Sequence, residues 1–251
     1  MIEISHLVKR FGDLTAVNDL SLTVRRGEFF AVLGPNAAGK TTTLRILAGL
    51  LKPTSGTARV AGFDVQEQPL EMRRRLAYVP DFPFLYDKLT PWEFFRFIGQ
   101  LFRMDEARIQ SEAMKLIARF NLEDYVSKPI EGLSHGTRQR VAIVSALLHD
   151  PEVFIIDEPM VGLDPHHARV VKDVLKERSL AGMTVFLSTH QLSVAEEMAD
   201  RIGIIHQGRL VAVGTREELR QQSGATGPLE QTFLALTAQE ANLVEEKAGK
   251  K

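Results

Sequence analysis

Cysteine is absent from the 251 residues, which excludes a disulfide framework and any thiolate-ligated metal site. A reducing compartment suits such a chain, although exported proteins can lack cysteine too. A large net charge is also missing. Thirty-one Lys+Arg against 32 Asp+Glu leave −1, so the total gives no sign of a nucleic-acid partner. No stretch comes near the ~20 apolar residues that cross a bilayer. The opening Met1-Ile2-Glu3-Ile4-Ser5 lacks a basic region followed by an apolar core, so no signal peptide is expected. Internal repeats and low-complexity segments are lacking as well. What remains, 44% hydrophobic and 25% charged residues, is the balance of a globular chain able to bury a large core unaided.

Two patterns alternate along the chain. Leu20, Leu22 and Val24 alternate with polar residues at a period of two, which predicts a half-buried strand. The continuous apolar runs at residues 29–33, 153–156 and 184–188 predict strands of a parallel sheet covered on both faces. Shorter strands are expected at 57–62 and 76–79, and a pair at 201–205 and 210–213 around a His206-Gln207-Gly208-Arg209 turn. Helices are expected at 41–50, 141–149, 165–179 and 192–198. Between residues 91 and 149 the pattern is almost wholly helical. Thr90-Pro91 predicts an N-cap with proline at the first helical position. Trp92, Phe94, Phe95 and Ile98 give one helix its apolar face; Ile109, Met114, Leu116, Ile117 and Phe120 give the next one its own. The fold expected is α/β: a RecA-like P-loop parallel-sheet core, an N-terminal antiparallel β subdomain and an inserted α-helical subdomain. Residues 1–81 and 150–223 form the core, 82–149 the insertion, and 224–251 a C-terminal helix and charged tail, frayed from residue 240 onward.

Gly34-Pro35-Asn36-Ala37-Ala38-Gly39-Lys40-Thr41 fits G-x-x-x-x-G-K-[ST] between an apolar strand and a helix. Polyphosphate is a dense anion, and backbone N–H groups converge on it when a loop turns tightly, as Gly34 and Gly39 permit. The following helix adds its positive end. Residues Gly34 to Thr42 are therefore expected to hold ATP, with Lys40 reaching the β- and γ-phosphates and Thr41 ligating Mg2+. The acidic pair Asp157-Glu158 ends the apolar run at 153–156, which places Asp157 to hold Mg2+ and leaves Glu158 to polarise the attacking water as general base.

Leu133-Ser134-His135-Gly136-Thr137-Arg138-Gln139-Arg140 resembles the signature motif of ATP-binding cassette (ABC) ATPases, L-S-G-G-Q followed by Q-R. Pro159 to Pro165, with Gly162 and Asp164, is similar to that family's D-loop. His190 after Ser188-Thr189 is similar to its switch histidine, and Phe11 stands where the family stacks an aromatic ring on adenine. The motifs run in family order from about Ile2 to Gly214. Each of these residues alone has an ordinary structural explanation: Ser134 as an N-cap, Phe11 as a packed aromatic, His190 as a strand-end histidine. Their order around the P-loop is what carries the resemblance. It implies a head-to-tail dimer in which each ATP lies between one subunit's P-loop and the other's Ser134 and Gly136, with Asp164 nearby. His190 then helps orient the water.

Four positions depart from the family pattern. Ala37 stands where glycine is common, so the loop there lacks glycine's freedom at positive φ. His135 and Thr137 replace a glycine and the glutamine of the signature. Asp81, in Tyr78-Val79-Pro80-Asp81, replaces the glutamine that touches Mg2+ and faces the membrane partner; a carboxylate there accepts but does not donate. The aromatic, proline-rich stretch from Phe82 to Pro91 lies where the family receives a coupling helix, and its aromatics can equally pack the helical subdomain. Asp81 with Leu85-Tyr86 and Leu89-Thr90 resembles cassettes paired with ABC-2-type exporter membrane proteins. The function implied is ATP hydrolysis that drives a separate membrane-embedded transporter subunit, at the cytoplasmic face of the membrane and with a second cassette as partner. A soluble ATPase of this type acting on ribosomes or DNA, and a nucleotide sensor, are the other classes open to such a chain. Most of the former carry two cassettes or long coiled-coil insertions, and this chain has neither.

Overall fold

Apolar runs become buried strands here because each central strand feeds two cores. The structure is a computed structural model that describes residues 1–225 and 227–248. In chain order, the strands are β1 (Ile2–Phe11), β2 (Leu14–Val24), β3 (Phe29–Leu33), β4 (Ser55–Val60), β5 (Phe63–Asp64), β6 (Leu76–Val79), β7 (Val153–Asp157), β8 (Thr184–Thr189), β9 (Arg201–His206) and β10 (Arg209–Gly214). The helices are α1 (Lys40–Leu47), α2 (Pro69–Arg73), α3 (Pro91–Leu101), α4 (Glu106–Arg119), α5 (His135–Leu147), α6 (Pro165–Leu180), α7 (Leu192–Met198), α8 (Arg216–Ser223) and α9 (Leu229–Ala248).

Strands pair in the order β2-β1-β4-β5 in an antiparallel sheet and β10-β9-β3-β8-β7-β6 in a larger sheet. The larger sheet is parallel except for the β9–β10 hairpin. Successive side chains of a strand point to opposite faces. Phe29, Ala31 and Leu33 of β3 therefore join the core shared with the helices α3 to α7. Phe30 and Val32 join the core beneath α1 and the antiparallel sheet. Phe154 and Ile156 part from Val153 and Ile155 in the same way. A strand with apolar partners on both sides has no polar face, which is why no alternation shows in its sequence.

The helical elements α3 to α5 lie between β6 and β7. A capping box opens α3: Thr90 N donates to Glu93 Oε2 at 2.8 Å and Glu93 N donates to Thr90 Oγ1 at 3.3 Å, ahead of Pro91 at the first helical position. Asp105 caps α4. Ile109, Ala113, Leu116 and Ile117 bury the face of α4, with Phe120 just beyond it, whereas Met114 is 55% exposed. Met114 was expected on that face; it lies one position, about 100° of helical rotation, away from Ala113, which takes the core place instead. Close approach between α3 and α4 depends on Gly99, where an added Cβ would stand 2.5 Å from Ile109 Cγ1. The guanidinium of Arg140 ties α5 to the end of α4. It donates to the Phe120 and Asn121 carbonyls at 2.7 and 2.9 Å and to Thr137 Oγ1 at 3.1 Å. A cation at those terminal carbonyls also complements the helix dipole.

Strand β1 carries no clean alternation, because register shifts break its pairing with both neighbours and His6 adopts φ +48°. Two expectations shift. Helix α1 stops at Leu47, before Gly49 at φ +67°, and does not run on to residue 50. Helix α5 begins at His135, with Ser134 as its N-cap, six residues before the start expected from hydrophobic pattern alone. At the C-terminal end, α9 starts at Leu229, well before the charged residues; the final tail residues, 249–251, lie outside the described residues.

His149 packs its ring on Phe102, with centroids 3.6 Å apart and planes 13° from parallel. Neither ring nitrogen has a hydrogen-bond partner among the described residues. Burial lowers its pKa from the ordinary 6.5 to about 4. The unfolded chain therefore binds a proton on this ring as pH falls below 6.5, while the folded chain resists until about 4. Between those values the histidine costs about 3 kcal/mol of stability, absent above and fully present below. Urea unfolding of wild type and His149→Phe at pH 7 and pH 4 tests this: the stability gap between them should widen at pH 4 by about that amount, in favour of the variant.

Candidate active site

The loop after β3 is built from close approaches that tolerate no side chain. A Cβ on Gly34 would run into the Ile205 carbonyl oxygen, and one on Gly39 into that of Ala16. Gly39 also holds φ +102°, a backbone region for which glycine is suited. The β9–β10 turn presses on the loop from behind: Gly208 N donates to the Ala38 carbonyl at 2.9 Å, and Asn18 N to that of Gly208 at 2.8 Å. Ala37 adopts φ +62° although it is not glycine. The expectation that an alanine would avoid this conformation is therefore corrected; surrounding contacts impose it at a cost of about 1–2 kcal/mol.

Lys40 opens α1 and turns its side chain back into the loop. Its Nζ donates to the carbonyls of Gly34 at 2.7 Å and Pro35 at 3.1 Å. Burial lowers its pKa, against the opposing pull of Glu158 and Asp157. Thr41 Oγ1 donates to Asp157 Oδ2 at 2.7 Å, joining the start of α1 to the end of β7. Asp157 is buried and Thr41 exposed, so the pair has one wet side.

Glu158 follows at φ +47°, again a left-handed conformation on a residue other than glycine. Its N–H donates to the Ser188 carbonyl at 2.8 Å. One carboxylate oxygen accepts from Thr189 Oγ1 at 3.0 Å, and the other lies 2.8 Å from His190 Nδ1. The side chain is thus held by β8 from one side while it faces the cavity on the other. Strain of this kind is stored where surrounding structure over-determines it.

A cavity of about 320 Å³ brings these parts together. Asn36, Ala37, Ala38, Gly39, Lys40, Thr41 and Thr42 line it, with Asp81, Asp157 and Glu158 on the far side and Phe11 at the mouth. Phe11 is 48% exposed, with Lys9 Nζ 4.9 Å from its ring centroid. Leu14 and Ala16 complete the wall. Sequence reasoning did not single them out; their only signal was proximity to Phe11 across the β1–β2 turn. Gly34 and Pro35 do not line the cavity but anchor Lys40 through their carbonyls. His190 meets it only through Glu158. Asp81 has its pKa raised by burial first and by Asp157 second, against His135 and His190. Burial and the Asp157 carboxylate thus act against the charged form of Asp81 without changing its part as an acceptor.

Ser134, Gly136 and Asp164 lie apart from this cavity and gather around one another. Ser134 Oγ caps α5, 3.3 Å from Thr137 N and 2.9 Å from Thr137 Oγ1. A Cβ on Gly136 would stand 2.6 Å from the Gly162 carbonyl oxygen, and one on Gly162 would run into the His135 ring. Asp164 caps α6, accepting from His167 N at 3.0 Å and from His167 Nδ1 at 2.5 Å. The His167 ring, and then the His167 and His166 amides, hold its pKa down at about 2, so it stays ionised at any ordinary pH.

Comparison with known proteins meets this geometry from outside. A family model described as "ABC transporter" matches residues 17–161. The daunorubicin/doxorubicin resistance ATP-binding protein DrrA of Streptomyces peucetius is 39% identical over 224 residues, 89% of this chain and 68% of that protein. A solved structure of an ATP-binding subunit of an ABC transporter superposes with a TM-score of 0.90 at 34% identity, covering 94% of this chain and 99% of its own. A dimeric ATP-binding cassette in a post-hydrolysis state, bound to ADP and Pi, superposes at 0.79 with 26% identity, over 86% of this chain and 98% of its own. Among the described residues, no helix is long and apolar enough to cross a membrane. The chain belongs to the ABC transporter family, as a subunit that binds and hydrolyses ATP.

Proposed function

We propose that the loop from Gly34 to Thr42 holds the phosphates of ATP, that Glu158 is the general base, and that the cycle drives export through a separate membrane subunit. One observation carries this reading: the lysine, the threonine–aspartate pair and a carboxylate fixed by β8 converge on one cavity that is open on one side. Phe11 at the mouth offers a face for the adenine.

Mg2+ fits the donors present, because Thr41 and Asp157 supply hard oxygen ligands within 2.7 Å of each other and Asp81 adds a third on the same wall. When bound, the ion supplies positive charge to the β- and γ-phosphates. Glu158 takes the proton of the attacking water, and His190, 2.8 Å from its carboxylate, holds that carboxylate in place. Lys40 draws negative charge off the transferring phosphoryl group.

The cavity of one chain lacks Ser134, Gly136 and Asp164, and a facing copy supplies them. Each α5 then presents its N-terminus and the Ser134 hydroxyl to the phosphate held by the other chain. Loss of the γ-phosphate removes the charge that bridges the two, so the dimer opens after hydrolysis. Movement passes to the membrane subunit through the segment after Asp81. There Phe82, Phe84 and Tyr86 are exposed while Leu85 and Leu89 pack on the core, an arrangement that leaves an aromatic surface for a partner. DrrA and the other resistance and Nod factor export proteins among the relatives support export as the direction of the cycle.

Glu158→Gln should keep ATP binding and lower turnover by about 10²–10⁴-fold, as loss of a general base does. Single-turnover hydrolysis with labelled ATP measures both, and a variant that retains most of its turnover refutes the assignment. Lys40→Ala should weaken ATP binding by roughly tenfold or more, the worth of a charge-assisted contact to phosphate. Titration with a fluorescent adenine nucleotide reads this directly; unchanged affinity would remove Lys40 from the phosphate site.

A further inference from the structure

Among the large exposed apolar side chains of the described residues, Leu50, Leu70, Leu101 and Phe84 line three grooves joined through shared lining residues. The widest of these, about 800 Å³, runs between α2 and the end of α3. It is lined by Leu70, Arg73, Arg74, Leu101, Phe102 and Arg103. Leu70 is 69% exposed and Leu101 62%. Three of the six lining residues are cationic and none is acidic, in a chain whose charges sum to −1.

The arginines are not consumed by local structure. Arg73 Nη2 donates to the Gly49 carbonyl at 2.6 Å and Arg74 Nη1 to Glu71 at 2.7 Å, each through one of five N–H groups. Among the described residues, Arg103 bonds only through its backbone N–H, to the Gln100 carbonyl at 3.0 Å. It also holds φ +57° just past the end of α3, a place glycine fills without strain, so the turn itself does not account for an arginine. The groove continues through Arg73 into the hollow beside Leu50, and through Phe102 into the one lined by Phe84.

We propose that this arginine–leucine face lies against the membrane and binds the phosphate headgroups of anionic lipids. A bilayer surface offers both halves of what the face displays. Phosphates lie just outside the acyl carbons, so guanidinium ions and leucines on one rim find their partners at adjacent depths. The donors stand around an open basin on two separate elements, an arrangement that suits mobile headgroups better than one chain held in register. Continuity with the Phe84 groove orients the face, since a subunit docked there by a membrane protein turns its neighbour toward the bilayer. That orientation rests on the partner assigned under the proposed function, whereas lipid binding by the isolated chain does not.

Co-sedimentation with vesicles separates the two. The wild-type chain should pellet with vesicles of phosphatidylcholine mixed with phosphatidylglycerol, not with phosphatidylcholine alone, and high salt should release it. The Arg73→Gln/Arg74→Gln/Arg103→Gln variant should bind the anionic vesicles on the order of a hundredfold more weakly, since each basic residue near such a surface is worth about 1 kcal/mol. Leu70→Ser/Leu101→Ser, which keeps every charge, should weaken binding as well and serves if the arginine variant fails to fold. Leu180→Ser, an exposed leucine of α6 outside these grooves, should leave vesicle binding unchanged, and binding by the isolated chain stands or falls without the partner assignment. Equal binding by wild type and both multiple variants, or no preference for the anionic lipid, overturns the proposal. So does a photo-crosslinker at Leu101 that, in cell membranes, labels an acidic protein segment and no lipid.

Discussion

A single hydrogen bond, Thr41 Oγ1 to Asp157 Oδ2 at 2.7 Å, sets the distance between two elements that are 116 residues apart in sequence. One end belongs to the first turn of α1 and the other to the last residue of β7. Because α1 continues from the loop after β3 and β7 leads straight into Glu158, the bond bears on how far the Glu158 carboxylate stands from Lys40. The rest of the core serves that separation. β3 and β7 are both paired to β8, so the loop after one and the carboxylates after the other emerge from the same end of one parallel sheet. Ligands of open α/β sheets bind at that carboxyl end, and here the backbone arrangement leaves no other place for them to meet.

Much of this was legible before any coordinates. Strands buried on both faces announce themselves as unbroken apolar runs, so β3, β7 and β8 were found to within a residue or so. The phosphate loop was legible because its chemistry demands glycines and a lysine at fixed spacing. What was lost is what depends on shape at longer range. The bulges of β1 destroy its alternation, and only pairing with β2 and β4 makes it a strand. Nothing local distinguishes Met114 from Ala113 as the residue that turns inward. The left-handed φ of Ala37 is imposed by contacts around the loop and contradicts the residue's own preference. The start of α5 hides behind polar residues, Thr137, Gln139 and Arg140, that are buried in spite of their type. In Arg140 the reason is a set of carbonyls supplied by the end of another helix, which a sequence does not display.

The site residues divide into two groups that a single chain keeps apart. The P-loop, the acidic pair and Phe11 surround one cavity; Ser134, Gly136 and Asp164 gather some way off, where each is satisfied by its own helix. N-capping explains Ser134 and Asp164 locally, with hydrogen bonds to the third residue of α5 and of α6. The same geometry leaves two helix N-termini, those of α5 and α6, each carrying an exposed oxygen side chain. Under the proposed function, a second cassette brings that group to the nucleotide held by the first.

The wedge of His135 against Gly162 gives that second group a mechanical property. Gly136 touches the Gly162 carbonyl, and Gly162 has no room for a carbon beside the imidazole. Two stretches of chain about 25 residues apart are thereby stacked without slack, and neither can slide over the other. Ser134, just before one stretch's contact, and Asp164, just after the other's, are therefore fixed relative to each other and can move only as one body.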